Sequence, residues 1–239
     1  MKVVIRTLMI LLFAAYGLKS KAAINIGLKG GLNLNNISQN YRDSDDETET
    51  KMKPGFHIGP VFDFEFSEAI SLQTGLLFTH KGFSVDLEDG LSDNESVDGF
   101  ARTSYNYLEV PLNFIYKINN FQLYAGPYFA VGLGGKSKWD YTLKGSGPDM
   151  SEVGDKKLKA IFGSIGEGDL DPDESAYKAM DTGLNFGIGY KLGPVLVNAG
   201  YSLGLGNLQP DIEGVNFDPK DFKSSNRVIC ISASFYFGQ

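Results

Sequence analysis

One cysteine, one tryptophan and two histidines are all that 239 residues contain of these types. The lone Cys230 cannot form an internal disulfide, so nothing staples the fold covalently. Positive charge is scarce as well: 22 Lys and Arg stand against 29 Asp and Glu, a formal net charge of −7. A nucleic-acid binder needs a basic stripe to displace phosphate counterions, and none is present. Long apolar runs are also missing beyond the N-terminus, where no later segment approaches the roughly 20 residues of a membrane-spanning helix. Disulfide scaffold, nucleic-acid binder and helical membrane bundle are therefore excluded.

What the chain has in quantity is glycine, 29 residues, with 17 Phe and 12 Tyr, a mixture that suits strands and not a helical bundle. The opening stretch, MKVVIRTLMILLFAAYGLKSKAA, sets Lys2 and Arg6 before an apolar run from Leu8 to Ala15 and then small residues. This order predicts a secretory signal peptide over 1–22, with a mature domain over 23–239. No cysteine lies at the cleavage point, so no lipid modification is expected there.

From Ile24 the residues alternate. Ile24, Ile26, Leu28, Leu32 and Leu34 share one phase, while Asn25, Lys29, Asn33 and Asn35 share the other. That period of two is a strand signal. It recurs near 24–35, 54–66, 70–84, 104–118, 121–135, 181–192, 195–207 and 226–238, giving about eight strands of roughly 12 to 15 residues. A typical soluble strand has about 5 to 6, and a tilted membrane strand needs about 9 to 11. The connections alternate between long polar stretches and the short turns Ser67-Glu68-Ala69, Asn119-Asn120 and Gly193-Pro194. Short turns at one end and long loops at the other are the signature of an up-and-down outer-membrane barrel. The longest loop, about 136–180, is read as extracellular, with a short helix within 152–165.

Segregated faces alone fit two folds, a soluble ligand-carrying barrel with oil inside or a membrane barrel with oil outside. Glycine separates them. Gly27, Gly31, Gly55, Gly59, Gly183, Gly187, Gly200 and others fall on the polar phase. A solvated surface gains nothing from bare backbone, whereas a barrel of about eight strands is barely wide enough inside for side chains. The expectation is an all-β, closed antiparallel transmembrane barrel in a bacterial outer membrane, its apolar rows against lipid. Phe64, Phe66, Tyr116, Phe121, Tyr190, Phe235 and Phe237 would form the aromatic girdle at the short-turn end. Pro60, Pro111 and Pro127 fall inside strands and predict local bulges.

Several stretches, Lys29-Gly30-Gly31-Leu32-Asn33, Gly55-Phe56-His57-Ile58-Gly59, Tyr107-Leu108-Glu109-Val110-Pro111-Leu112, Ala125-Gly126-Pro127-Tyr128 and Asn226-Arg227-Val228, together resemble the PorT-type outer-membrane β-barrel family. The likeness spans nearly the whole mature chain. It implies a small outer-membrane barrel, usually without an assigned activity, and for PorT itself a link to the type IX secretion route. It transfers no catalytic residues and no cofactor.

The residues themselves offer little chemistry. His57 lies on the lumen phase and His80 on the oily phase, so they do not share a site, and no His–Ser–Asp trio marks an acyl-transferring barrel. No enzymatic activity is expected. Asp169, Asp171 and Asp173 alternate as in a calcium loop, but Glu174 stands where the glycine belongs and Met180 where the closing glutamate does, leaving at most a weak metal candidate. Asp43 to Glu49 is a second acidic run of solvated type. The charges on the lumen phase are more informative. Lys29, His57, Asp63, Glu65, Glu109, Lys117, Asp181 and Lys191 are expected to form a mixed-sign network that plugs the barrel, because isolated buried charges cost several kcal/mol each. Lys81 shares their phase. Expected partners are outer-membrane lipid and, through the loops, envelope proteins of a secretion or assembly machine; a structural or loop-displaying role is the first expectation.

Overall fold

The computed structural model describes residues 23–41, 50–87, 89–92, 95–144, 149–166, 168–212 and 222–237. The signal peptide over 1–22 and the acidic run over 43–49 lie outside the described residues. Every regular element among those described is a strand: β1 (Ala23–Tyr41), β2 (Lys53–Glu65), β3 (Ile70–Gly75), β4 (Leu77–Asp86), β5 (Asp89–Ser92), β6 (Glu95–Ile118), β7 (Phe121–Lys144), β8 (Met150–Ile161), β9 (Ser164–Ile165), β10 (Glu174–Lys178), β11 (Met180–Leu192), β12 (Val195–Gly204), β13 (Asp211–Ile212) and β14 (Phe222–Tyr236).

β1 pairs with β2 on one side and with β14 on the other, so the sheet closes. Around the ring run β1, β2, β3 with β4, β6, β7, β11, β12 and β14, each antiparallel to its neighbours. This is the expected all-β up-and-down barrel of eight staves. β3 and β4 are one stave, since both hold the same register against β6. The break at Leu76 faces Pro60, which accepts from the Leu76 N–H at 3.0 Å but has no N–H to return.

The stagger of the ring follows from its pairing. Starting at Ile24, successive partners are Phe64, Leu72, Phe114, Ala125, Phe186, Tyr201 and Ile229, and the path re-enters β1 at Leu34, ten residues beyond its start (24 to 34). Ten residues at about 3.3 Å against eight spacings of about 4.8 Å tilt the strands by about 40°.

Three features differ from the sequence expectation. Strands β2, β6 and β7 pass through Pro60, Pro111 and Pro127 with no register shift, because a missing donor removes one ladder bond without inserting a residue. The shift within the barrel wall lies instead between Asn106 and Tyr107 opposite Gly132 and Gly134, where Gly134 takes a φ of 114° that only glycine adopts readily. Most of the 136–180 loop is also sheet. β7 continues to Lys144, β8 pairs along its upper edge, and β10 runs parallel to β8. The helix expected within 152–165 is absent there, since β7 offers an unpaired edge that β8 satisfies.

Side-chain exposure fixes which face meets lipid. Leu32 is 73% exposed and Ile231 63%, while Lys81 and Asp181 on the opposite phase are 1% and 0% exposed. The apolar rows therefore point outward, and the soluble barrel with an apolar cavity is overturned. Phe121 and Tyr190 meet edge-on at 4.8 Å, and Phe235 and Phe237 at 5.6 Å, at the short-turn end, as an interfacial girdle requires. Leu28 stands mid-band on β1. Leu28→Arg is expected to cost about 2–4 kcal/mol, read as a lowered urea midpoint for folding into phospholipid vesicles; an unchanged midpoint would place this face elsewhere than in hydrocarbon.

Candidate functional site

The interior is a closed polar lumen. At its centre Lys81 on β4 reaches Glu109 on β6 at 2.9 Å and Asp181 on β11 at 3.0 Å. Asp181 also accepts from the Tyr128 hydroxyl at 3.2 Å and from the Asn226 side-chain amide at 2.8 Å. The ammonium lies over the Tyr128 ring at 4.4 Å and the Tyr107 ring at 5.3 Å. Two carboxylates, two aromatic faces and one cation thus satisfy one another away from bulk solvent, the condition under which a buried charge is tolerated. The strand tilt brings them together, since Lys81 and Asp181 lie on staves that are not neighbours in the ring.

Lys29 is buried beside this cluster, its ammonium 5.8 Å from the Tyr124 ring. His57 Nδ1 lies 2.8 Å from Asn33 Oδ1. Space here is small: a cavity of about 40 Å³ is bounded by Lys29, Asn33, His57, Lys81, Glu109, Tyr124 and Cys230, among others, enough for a water or two.

Tyrosines fill most of the rest. The Tyr124 hydroxyl occupies the space a side chain at Gly187 or Gly200 would need, and the Tyr128 ring does so at Gly183, Tyr177 at Gly132 and Tyr236 at Gly27. Above the central cluster Tyr105, Tyr107 and Tyr177 pack in tilted and edge-on pairs with centroids 4.8–6.2 Å apart. These five lumen glycines are seats for rings, a pairing that fills the gap a glycine leaves in a strand.

The periplasmic mouth is different. Lys117 bridges Glu65 at 2.5 Å and Asp63 at 3.5 Å, and Gln73 donates to the Tyr236 hydroxyl at 2.6 Å. Below them opens a vestibule of about 510 Å³ whose lining includes Asp63, Glu65, Glu68, Lys117, Gln122 and Lys191.

Of the network residues chosen from sequence, Lys29, His57, Asp63, Glu109 and Asp181 are buried in the lumen. Glu65 and Lys117 sit at its mouth, while Lys191 is exposed on the vestibule rim and takes no place in the buried cluster. Lys81, the most enclosed cation among the described residues, is the centre of the cluster, where the sequence shows only that it shares the inner phase. His80 faces outward, bonded through Nδ1 to Asn106 at 2.8 Å and stacked on Phe56, so the wall separates the two histidines. Asp169, Asp171 and Asp173 are exposed. The Asp169 carboxylate accepts from the Gly166 N–H at 2.8 Å, and Asp173 lies 3.9 Å from Lys157. Among the described residues no group of three or more His, Cys, Asp or Glu side chains is placed to hold a metal.

A closed ring of eight staves with a lipid-facing wall and a polar interior defines a small bacterial outer-membrane β-barrel. Residues 15–209 match the family described as outer membrane protein beta-barrel domain, and the chain belongs to that family. Similar solved structures include the attachment invasion locus protein Ail of Yersinia pestis (12% identity, 88% of this chain and 98% of that chain, TM-score 0.36). Neisserial surface protein A (9%, 90% and 99%, TM-score 0.38) and OprG of Pseudomonas aeruginosa (13%, 91% and 98%, TM-score 0.35) are also similar. No curated protein matches the sequence.

Proposed function

We propose that the protein is a non-enzymatic, non-conducting outer-membrane barrel that serves as a rigid stand for its extracellular sheet. The observation that carries this reading is the filled lumen: the Lys81–Glu109–Asp181 cluster and its tyrosines leave about 40 Å³ at mid-height. Among the described residues that filling leaves a solute no path through the barrel. Purified barrel reconstituted in planar bilayers is expected to give no steady single-channel conductance; stable openings in most insertions would replace this reading with a pore.

The sheet above the wall supports the display role. β6 and β7 have 24 residues each, against the 9 to 11 or so that cross a bilayer. Tilted strands of that length carry the paired ends of β6 and β7 opposite their Asn119-Asn120 turn about 30 Å beyond the apolar band.

A second reading, an accessory part of a secretion or envelope-assembly machine, rests on the PorT-type sequence resemblance and on the charged vestibule facing the periplasm. Crosslinking in intact envelopes from a photoreactive residue at Lys191 distinguishes the two. A single stoichiometric periplasmic partner supports the machine, and lipid-only adducts support the stand.

A further inference from the structure

The outward faces of β6, β7 and β8 change character abruptly at the top of the lipid-facing band. On β7 the last apolar outward residue is Leu133, and the next outward positions past the bulge are Lys136 and Lys138, both exposed. On β6 Ser104 lies opposite Lys136 and Arg102 opposite Lys138. On β8 Lys157 lies opposite Lys136, with Lys159 one outward position nearer the bilayer. Three residues past Leu133 on a tilted strand is a rise of about 8 Å, the depth at which lipid headgroups lie.

These five cations face three carboxylates: Asp155 at 2.7 Å from Lys136, Asp173 at 3.9 Å from Lys157 and Glu174 at 3.9 Å from Lys159. Among the described residues Arg102 and Lys138 form no ion pair with a carboxylate, and the Arg102 guanidinium rests on the Phe100 ring at 4.0 Å. The next outward carboxylates, Asp98 and Asp140, lie farther from the bilayer. A net positive rim thus sits at headgroup height in a chain whose formal charge is −7. Across the patch runs a shallow groove of about 520 Å³ that starts at Leu133 and Gly134 and ends at Lys157, Lys159 and Glu174. It is apolar toward the hydrocarbon and cationic above it.

We infer that this outward patch docks the phosphate-bearing headgroup of an anionic lipid of the outer leaflet, with the lipid's apolar part against Leu133. The occupant is a lipid because the patch is continuous with the lipid-facing band and its apolar-to-cationic order matches an amphiphile entering from the bilayer. A basic residue at a membrane surface typically raises the affinity for anionic lipid about fivefold.

Native mass spectrometry of the full chain, released from micelles doped equally with diphosphoryl lipid A and phosphatidylcholine, tests this. The unmodified barrel is expected to retain lipid A in preference. K157Q/K159Q is expected to lower that preference about 25-fold, with heat-modifiable gel mobility showing that it is folded, while K144Q, which removes a charge higher on the sheet, leaves it unchanged. If K157Q/K159Q does not fold, R102Q/K138Q carries the same expectation. Equal retention of both lipids by the unmodified barrel, equal loss in K144Q, or full displacement of lipid A by inorganic phosphate would each overturn the inference.

Discussion

Lys81→Met is expected to destabilise the folded barrel by about 3–5 kcal/mol. The substitution keeps most of the side-chain volume but strands Glu109 and Asp181, both buried, without the ammonium that lies 2.9 and 3.0 Å away. The Tyr128 hydroxyl and the Asn226 amide still donate to Asp181, so that carboxylate keeps neutral partners while Glu109 loses its counterion. Urea titration of folding into vesicles, followed by the mobility of unheated samples on gels, measures the loss. Lys81→Met combined with Glu109→Gln and Asp181→Asn is expected to recover much of it, because no charge is then left alone in a low-dielectric interior. A single variant within about 1 kcal/mol of the parent would mean that water reaches the cluster freely.

The second large effect concerns the seat of Tyr124. Gly200→Val is expected to cost about 1–3 kcal/mol, since a Cβ there meets the Tyr124 hydroxyl, the same atom that a Cβ at Gly187 would meet at 2.6 Å. Tyr124→Phe removes the blocking oxygen. In the double variant the two costs are therefore expected to sum to less than their separate values, a coupling that a double-mutant cycle in the same urea titration reads directly. Additive costs would locate the strain in the backbone instead.

Why some of this was legible in the sequence and some was not has a physical basis. Within the bilayer the two faces of each strand meet opposite solvents, so parity alone places Leu32 outside and Asp181 inside. Above Leu133 the outer face leaves hydrocarbon for polar surroundings, the contrast fades, and Lys136-Ser137-Lys138 carries no alternating signal. Strands β6 and β7 accordingly run beyond the 104–118 and 121–135 read from pattern. Residues 152–165 could be read as a short helix because local composition does not reveal the free edge of β7 that claims them. The partner of each lumen charge depends on the stagger of the ring, a property of all eight staves together, so Lys81 and Asp181, separated by 100 residues, give no local sign of contact. The tyrosines were missed for a different reason. Tyr124 and Tyr128 carry no charge to mark them on the inner phase, although glycines at 183, 187 and 200 on the nearby staves leave room that large rings fill.

The vestibule opens to one compartment and the seal lies above it. On the proposed non-conducting reading the two aqueous phases wet the same chain without communicating through it, and a shift of salt or acidity on the cell's exterior leaves the ions around Lys117 and Asp63 undisturbed. A cell can stock its outer membrane densely with such a molecule and gain surface architecture without gaining leak.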